Sequence, residues 1–222
     1  MRGRFITFEG GEGAGKSNHA RLLADRLKQL GISIVLTREP GGSPGAEVIR
    51  HVLLSGITKP LGVRTEALRF AAARDDHVRT TIAPALAAGR WVICDRFIDS
   101  TRVYQGTLGG LDPKFIRALE RVTVGDLKPD LTLVLDVPAE VGLKRAGKRR
   151  GQRAADRFEA ESRSFHEELR QAYRLLAAAE PGRCVLIDAT APKSAVAERI
   201  WAIVSERLDP AAAEVAVAGA AP

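Results

Sequence analysis

The chain has 222 residues, 45% apolar and 27% charged. This is the balance of a folded domain, and it excludes a disordered chain, a fibrous repeat or a disulfide-stapled mini-protein. Thirty-four lysines and arginines against 27 acidic residues leave a net charge of +7, which suits an anionic partner. Aromatics, at 5%, do not interleave with the basic cluster, so nucleic acid is not the expected partner. No apolar run approaches the ~20 residues of a membrane helix, and the N-terminal MRGRFITFEGG lacks the features of a signal peptide. Cys94 and Cys184 each sit in a short apolar run, as buried thiols of a reducing, cytoplasmic compartment.

Five β-rich apolar runs, at 5–9, 33–37, 91–95, 131–136 and 184–188, alternate with helical stretches. After the first run, Ala20, Leu23, Leu27 and Leu30 recur at steps of three, four and three, and Gly31 stands where that helix should stop. Near-continuous apolar strands alternating with helices predict an α/β fold, a five-stranded parallel sheet covered by helices on both faces. No linker divides the chain, so 1–208 is expected to form one domain. Residues 147–157, GKRRGQRAADR, break the alternation as a basic excursion between two helices. The Ala-rich stretch 209–222 is expected to be a poorly ordered tail.

Gly10-Gly11-Glu12-Gly13-Ala14-Gly15-Lys16-Ser17 follows the first strand and opens a helix. This is the full phosphate-loop pattern G-x-x-x-x-G-K-[ST] in its required context. Glycines let successive backbone N–H groups converge on phosphate oxygens, and the helix start adds its positive dipole end. Lys16 is expected to reach the β- and γ-phosphates of a nucleoside triphosphate and Ser17 to ligate Mg²⁺. Glu12, a carboxylate among phosphate-binding amides, either serves a second substrate, for example at a sugar hydroxyl, or turns to solvent.

The third strand ends in Asp95-Arg96, at the edge where α/β sheets bind ligands. Asp95 is placed to act on Mg²⁺ or its water shell, and Arg96 to clamp a phosphoryl group; a structural ion pair is the alternative. The chain contains no Asn-Lys-x-Asp motif for guanine, which disfavours a switch GTPase. A small kinase with an anionic acceptor remains.

The ordered set FEGGEGAGKS (8–17), TREPGG (37–42), FAAAR (70–74), DRF (95–97), STRVYQG (100–106), PDLTLVLDV (129–137) and DRFE (156–159) resembles bacterial thymidylate kinases over about the first 205 residues. The resemblance implies a P-loop kinase fold, ATP and Mg²⁺, and dTMP as the small-molecule acceptor, giving dTDP on the way to dTTP. It implies that Phe70 stacks on thymine and that Arg74 bonds a thymine edge, with Ser100, Thr101, Tyr104 and Gln105 bordering the base. Arg50 and Arg96 resemble the pair holding the dTMP phosphate, Glu39-Pro40 the family's cis peptide near the sugar, and Glu12 its carboxylate near the 3′-hydroxyl.

The basic stretch 147–157 resembles the family's lid over ATP. Gly13 follows Glu12, so the loop supplies no catalytic arginine and the lid must. Arg153 and Arg157, four apart, are the expected catalytic pair beside Lys16, Arg96 and Glu12, while Arg149 and Arg150 are either part of that lid or a solvated charge run. Homodimerisation is also implied, and a helix face with Leu68, Ala71 and Ala72 would suit it. Two other readings stay open: a P-loop kinase for a different small acceptor, and a nucleic-acid-stimulated ATPase.

Overall fold

The computed structural model describes residues 2–57, 59–151 and 157–210. Strand β1 (Phe5–Gly10) leads through the phosphate loop into α1 (Lys16–Gln29), then β2 (Ile34–Arg38), α2 (Pro44–Leu54) and α3 (Gly62–His77). A π-helical turn, Val78–Ile82, joins α3 to α4 (Ala83–Ala87), which precedes β3 (Trp91–Asp95). The short α5 (Ile98–Thr101) widens into a second π-helical stretch, Arg102–Leu108, followed by α6 (Pro113–Thr123) and β4 (Leu131–Asp136). The chain closes with α7 (Ala139–Arg150), α8 (Arg163–Ala179), β5 (Cys184–Asp188) and α9 (Lys193–Leu208).

The sheet is wholly parallel in the order β2-β3-β1-β4-β5. This is the expected five-stranded α/β architecture, and all five predicted strands fall within one residue of their expected bounds. Burial on both sides explains their near-continuous apolar character. Alternation then decides what each face holds. Ile6 and Phe8 of β1, Ile93 of β3 and Leu131, Leu133 and Leu135 of β4 share one core with Leu23 and Leu27 of α1 and Ile200 and Val204 of α9. Phe5, Val92 and Cys94 point the other way, against Ile82, Leu86 and Phe97. Continued to the strand ends, the same alternation aims Asp95 toward α1 and Glu9 toward α5 and α8.

Helix α1 carries the predicted stripe, with Ala20, Leu23 and Leu27 buried and Leu30 partly buried against the core, and Gly31 follows it at φ 76°. Both cysteines are buried free thiols, and burial pushes the Cys94 and Cys184 thiols well up, the latter to about 12. The basic excursion begins later than expected. Helix α7 continues through Lys148, Arg149 and Arg150, because cations in a last turn complement the helix dipole, and it ends at Gly151, φ 62°. Of the expected lid 147–157, residues 152–156 lie outside the described residues, as do 211–222 of the expected tail.

Helix α7 touches the phosphate loop where both sides are glycine. A Cβ on Gly13 (φ 68°) would lie 1.9 Å from the Gly142 carbonyl oxygen, and one on Gly142 would lie 2.3 Å from that of Glu12. Gly142→Ala therefore sets a helix-propensity gain of up to ~1 kcal/mol against overpacking of ~1–3 kcal/mol. Urea unfolding should show a net loss of stability; a gain would mean the loop and helix separate freely.

Candidate active site

The carboxyl edge of β1 and β3 opens into a cleft of about 430 Å³, beside the point where the chain leaves the central strand in both directions. Its phosphate end is the loop. Gly10, Gly13 and Gly15 have φ of 129°, 68° and 97°, and Gly15 caps α1 in the left-handed conformation. Glu12, Gly13, Gly15, Lys16 and Ser17 line the cleft, while Ala14 is buried in the core beneath. Lys16 Nζ donates to the carbonyls of Gly10 (3.0 Å) and Gly11 (2.7 Å). Burial, with Arg96 nearby, pulls the Lys16 ammonium down to about 8 against the opposing pull of Glu12, Asp95 and Glu9.

Ser17 Oγ donates to Asp95 Oδ2, so the two residues expected at Mg²⁺ adjoin at the cleft, one from α1 and one from the strand end facing it. A hydroxyl and a carboxylate beside a phosphate loop are the hard oxygen donors Mg²⁺ prefers, and they fit a cation that keeps water and phosphate as its other ligands.

Arg96 spans the middle of the cleft. Its Nη2 donates to Glu12 Oε1 at 2.5 Å. Its Nη1 donates to Ser100 Oγ (3.2 Å), Tyr173 Oη (3.2 Å) and the Gly10 carbonyl (3.3 Å), and its guanidinium lies 5.3 Å from the Tyr104 ring centroid. Burial alone would raise the Glu12 carboxyl, yet Arg96, Lys16 and Arg149 together hold it down at about 2. Glu12 is thus no solvent-facing loop residue; it is a fixed anion inside the site.

The far end is apolar and amide-lined. Phe70 and Arg74 project from one face of α3, and Thr101, Tyr104 and Gln105 come from α5 and the π-helical stretch after it. The predicted four-residue spacing of Thr101 and Gln105 therefore falls on a wider turn than an α-helix, a feature frequent at functional sites. Arg74 Nε donates to Glu39 Oε2 (2.8 Å) and its Nη2 to the Phe97 carbonyl (3.2 Å). Glu39 also meets His77 Nδ1 at 3.1 Å, so α3 pins the Glu39-Pro40 segment, whose peptide bond is cis. Arg50 Nη1 donates to the Pro40 carbonyl at 2.5 Å. Thr101 Oγ1 is buried without a hydrogen-bond partner among the described residues, a polar atom suited to a ligand.

Every expected acceptor residue, Glu12, Glu39, Pro40, Arg50, Phe70, Arg74, Arg96, Ser100, Thr101, Tyr104 and Gln105, lines this one cleft. The lid arginines divide differently. Arg153 lies outside the described residues. Arg157 does not line the cleft; it is held by Glu66 at 2.8 Å and Glu161 at 3.4 Å and stacks on Phe158. Among the described lid arginines, Arg149 lines the cleft; it pairs with Glu159 at 2.8 Å as Arg150 does at 3.1 Å. In this structure the expected catalytic Arg157 is engaged instead by the buried carboxylate of Glu66 on α3.

Sequence reasoning also misses Phe158, which lines the cleft 6.2 Å from the Phe70 ring, and the buried pair behind Arg96. Glu9 accepts from the backbone N–H of Phe97 (2.8 Å) and Ser100 (3.2 Å), from Ser100 Oγ (2.7 Å) and from Tyr173 Oη (2.9 Å). It therefore positions the two hydroxyls that Arg96 contacts. The only signal for it was a carboxylate ending an apolar strand. Burial, reinforced by Asp99, raises the Glu9 carboxyl from 4.5 to about 7. A carboxyl raised on folding favours the native state fully below about 4.5 and loses that contribution as pH rises through about 7. Glu9→Gln should therefore gain stability relative to the parent chain between pH 5 and 8 in urea unfolding. A difference independent of pH would contradict the burial argument.

The sequence profile described as Thymidylate kinase matches residues 8–200. Thymidylate kinases of Rhodopseudomonas palustris (strain BisB18) and Bradyrhizobium sp. (strain ORS 278) are 64% and 63% identical to the chain, each covering 93% of it and 90% and 92% of their own length. The crystal structure of thymidylate kinase from Ehrlichia chaffeensis superposes with a TM-score of 0.75 at 31% identity, over 92% of this chain and 100% of that one. With the phosphate loop, the arginine at the strand end and the aromatic far end gathered in one cleft, the chain belongs to the thymidylate kinase family, whose enzymes phosphorylate dTMP to dTDP for dTTP synthesis.

Proposed function

We propose that the cleft takes ATP at the loop and dTMP at the far end, with Arg96 between them at the site of transfer. The observation that carries this reading is the single cleft holding Lys16, Ser17 and Asp95 at one end and Phe70, Arg74 and Gln105 at the other. Phe70 gives the thymine ring a stacking face, Arg74 keeps donor capacity toward a carbonyl edge, and Arg50 and Arg96 hold the acceptor phosphate while Glu12 meets the sugar. Ser17 and Asp95 would hold Mg²⁺, which when bound would supply charge neutralisation at the phosphates. The attacking oxygen belongs to a phosphate monoester already largely ionised at neutral pH, so positioning and charge stabilisation suffice and no general base is required. Lys16, and an arginine brought from the α7 side, neutralise charge on the transferred group.

We assign that arginine to Arg149, since it lines the cleft and Arg157 does not. ADP release with Mg–ATP and each nucleoside monophosphate in turn tests the acceptor, with dTMP expected to lead. Phe70→Ala should raise KM for dTMP with little change in kcat. Arg149→Ala should lower kcat by at least ~10²-fold, and Arg157→Ala should change it only a few-fold. The reverse order for the two arginines would return the role to Arg157.

Self-association follows from a second observation. Exposed Val48 and Val52 on α2, Leu68 on α3 and Val122 on α6 lie on helices that pack side by side, and Leu68 and Ala72 present an outward edge of α3 while Ala71 is buried. A second copy of the chain is the proposed occupant of this surface. Leu68→Glu should convert the dimer to monomer in sedimentation velocity, and a parent chain that sediments as a monomer would dismiss the assignment. A cytoplasmic setting agrees with the two buried free thiols; among the described residues no helix is long and apolar enough to cross a membrane.

A further inference from the structure

We propose that Glu66 is a specificity-determining positioning residue that fixes the amide orientation of Gln105 and so lets the site distinguish a base carrying a hydrogen on N3 from one that does not. The proposal rests on the reading above that dTMP occupies the far end of the cleft, which Gln105 lines. Glu66, Phe70 and Arg74 recur every four residues along α3, so one stripe of the helix carries all three toward the acceptor end. Phe70 and Arg74 line the cleft and Glu66 stands just behind it.

Each oxygen of Glu66 has its own partner. Oε1 accepts from Gln105 Nε2 at 2.8 Å, and Oε2 pairs with Arg157 Nη2 at 2.8 Å. The buried carboxylate thus has its counter-charge in Arg157. An ionised carboxylate only accepts hydrogen bonds, whereas a Gln amide donates at one end and accepts at the other. The donor end of Gln105 must therefore face Glu66. Its carbonyl oxygen is the end left for the cleft that Gln105 lines, and no protein donor to that oxygen exists among the described residues.

An acceptor at that place matches the N3–H of thymine and equally that of uracil. It opposes the N3 lone pair of cytosine. Glu66 therefore contributes to rejecting dCMP and makes no distinction between dTMP and dUMP. Without Glu66 the amide is free to turn its donor end inward and satisfy cytosine.

The test compares the Ki of dCMP as a competitive inhibitor with the KM values of dTMP and dUMP in the full-length enzyme. Glu66→Gln preserves shape but lets its own amide donate. It should lower Ki(dCMP)/KM(dTMP) about tenfold, the scale of one mispaired buried hydrogen bond, and leave KM(dUMP)/KM(dTMP) unchanged. A general loosening of the site would move both ratios. Gln105→Leu separates the two ideas. If it leaves Ki(dCMP)/KM(dTMP) at the parent value, Gln105 does not read the base and the proposal falls with that reading. If it lowers the ratio while Glu66→Gln does not, the reading stands and the role of Glu66 is refuted. Should Glu66→Gln fail to fold, side-chain amide NMR of the unaltered enzyme with dTMP decides. Nuclear Overhauser contacts from the Gln105 NH₂ to the Glu66 methylenes are expected, and contacts from that NH₂ to the base would overturn the proposal.

Discussion

The site depends on where Arg96 is held. Arg96 has φ 70°, a left-handed conformation that costs a non-glycine residue ~1–2 kcal/mol. The surroundings enforce it: the Arg96 N–H bonds to the Phe8 carbonyl at 2.9 Å, and the next N–H, of Phe97, is taken by Glu9. The chain thus turns sharply off β3, with the Arg96 side chain directed back over the loop at the end of β1. Because β1 and β3 are adjacent and parallel, residues 9–17 and 95–105 reach the same edge. An ordinary extended residue at 96 would carry the guanidinium away from Glu12.

Charge balance around Arg96 follows from burial. One buried guanidinium faces Glu12 directly and Glu9 through the Ser100 and Tyr173 hydroxyls, and the two carboxylates answer in opposite directions. Glu12 is held low because cations surround it. Glu9 is raised because burial strips its carboxylate of water and Asp99 lies near, which outweighs Arg96 and the donors of Ser100 and Phe97. Asp99 in turn is held at 2.7 and 2.9 Å by Arg183. Removing one partner from such a pair leaves an uncompensated buried charge, at a cost of ~3–5 kcal/mol, far more than an exposed ion pair contributes. The network therefore fixes the geometry of the site's positive groups ahead of any substrate.

What the sequence makes legible is what repeats or is local. The five strands show as apolar runs, the loop as a fixed spacing, and Asp95-Arg96 as the end of one such run. Phe70 and Arg74 are legible by helical spacing joined to a family resemblance. Contacts between distant positions are not. Glu9 and Tyr173 are 164 residues apart, and nothing in either neighbourhood announces the other. Glu66 looks like one more polar residue on a helix until Gln105 and Arg157 are seen to converge on it. The basic, glycine-punctuated run 147–157 reads as an excursion because it breaks the alternation of strands and helices. The structure instead keeps 148–150 helical, since the dipole at a helix end favours those charges and Glu159 pairs with two of them.

The two ends of the cleft hang on different parts of the fold. The groups proposed to handle phosphate sit on strand ends and on the loop, whose approach to α7 leaves no room for a Cβ at Gly13 or Gly142. The groups proposed to handle the base sit on α3, α5 and the π-helical stretch, and meet the sheet through the Arg74–Glu39 pair, the Ser100–Glu9 bonds and the turn after β3. Arg96 joins the two sets, and Glu66 joins the second set to the segment following α7 through Arg157. Changes along the α3 stripe should therefore redirect acceptor choice with the triphosphate end intact, since no ladder hydrogen bond or loop glycine depends on them. Changes at Arg96 cannot be confined in that way, because its side chain is shared by the loop, by Glu12 and by the hydroxyls that Glu9 holds.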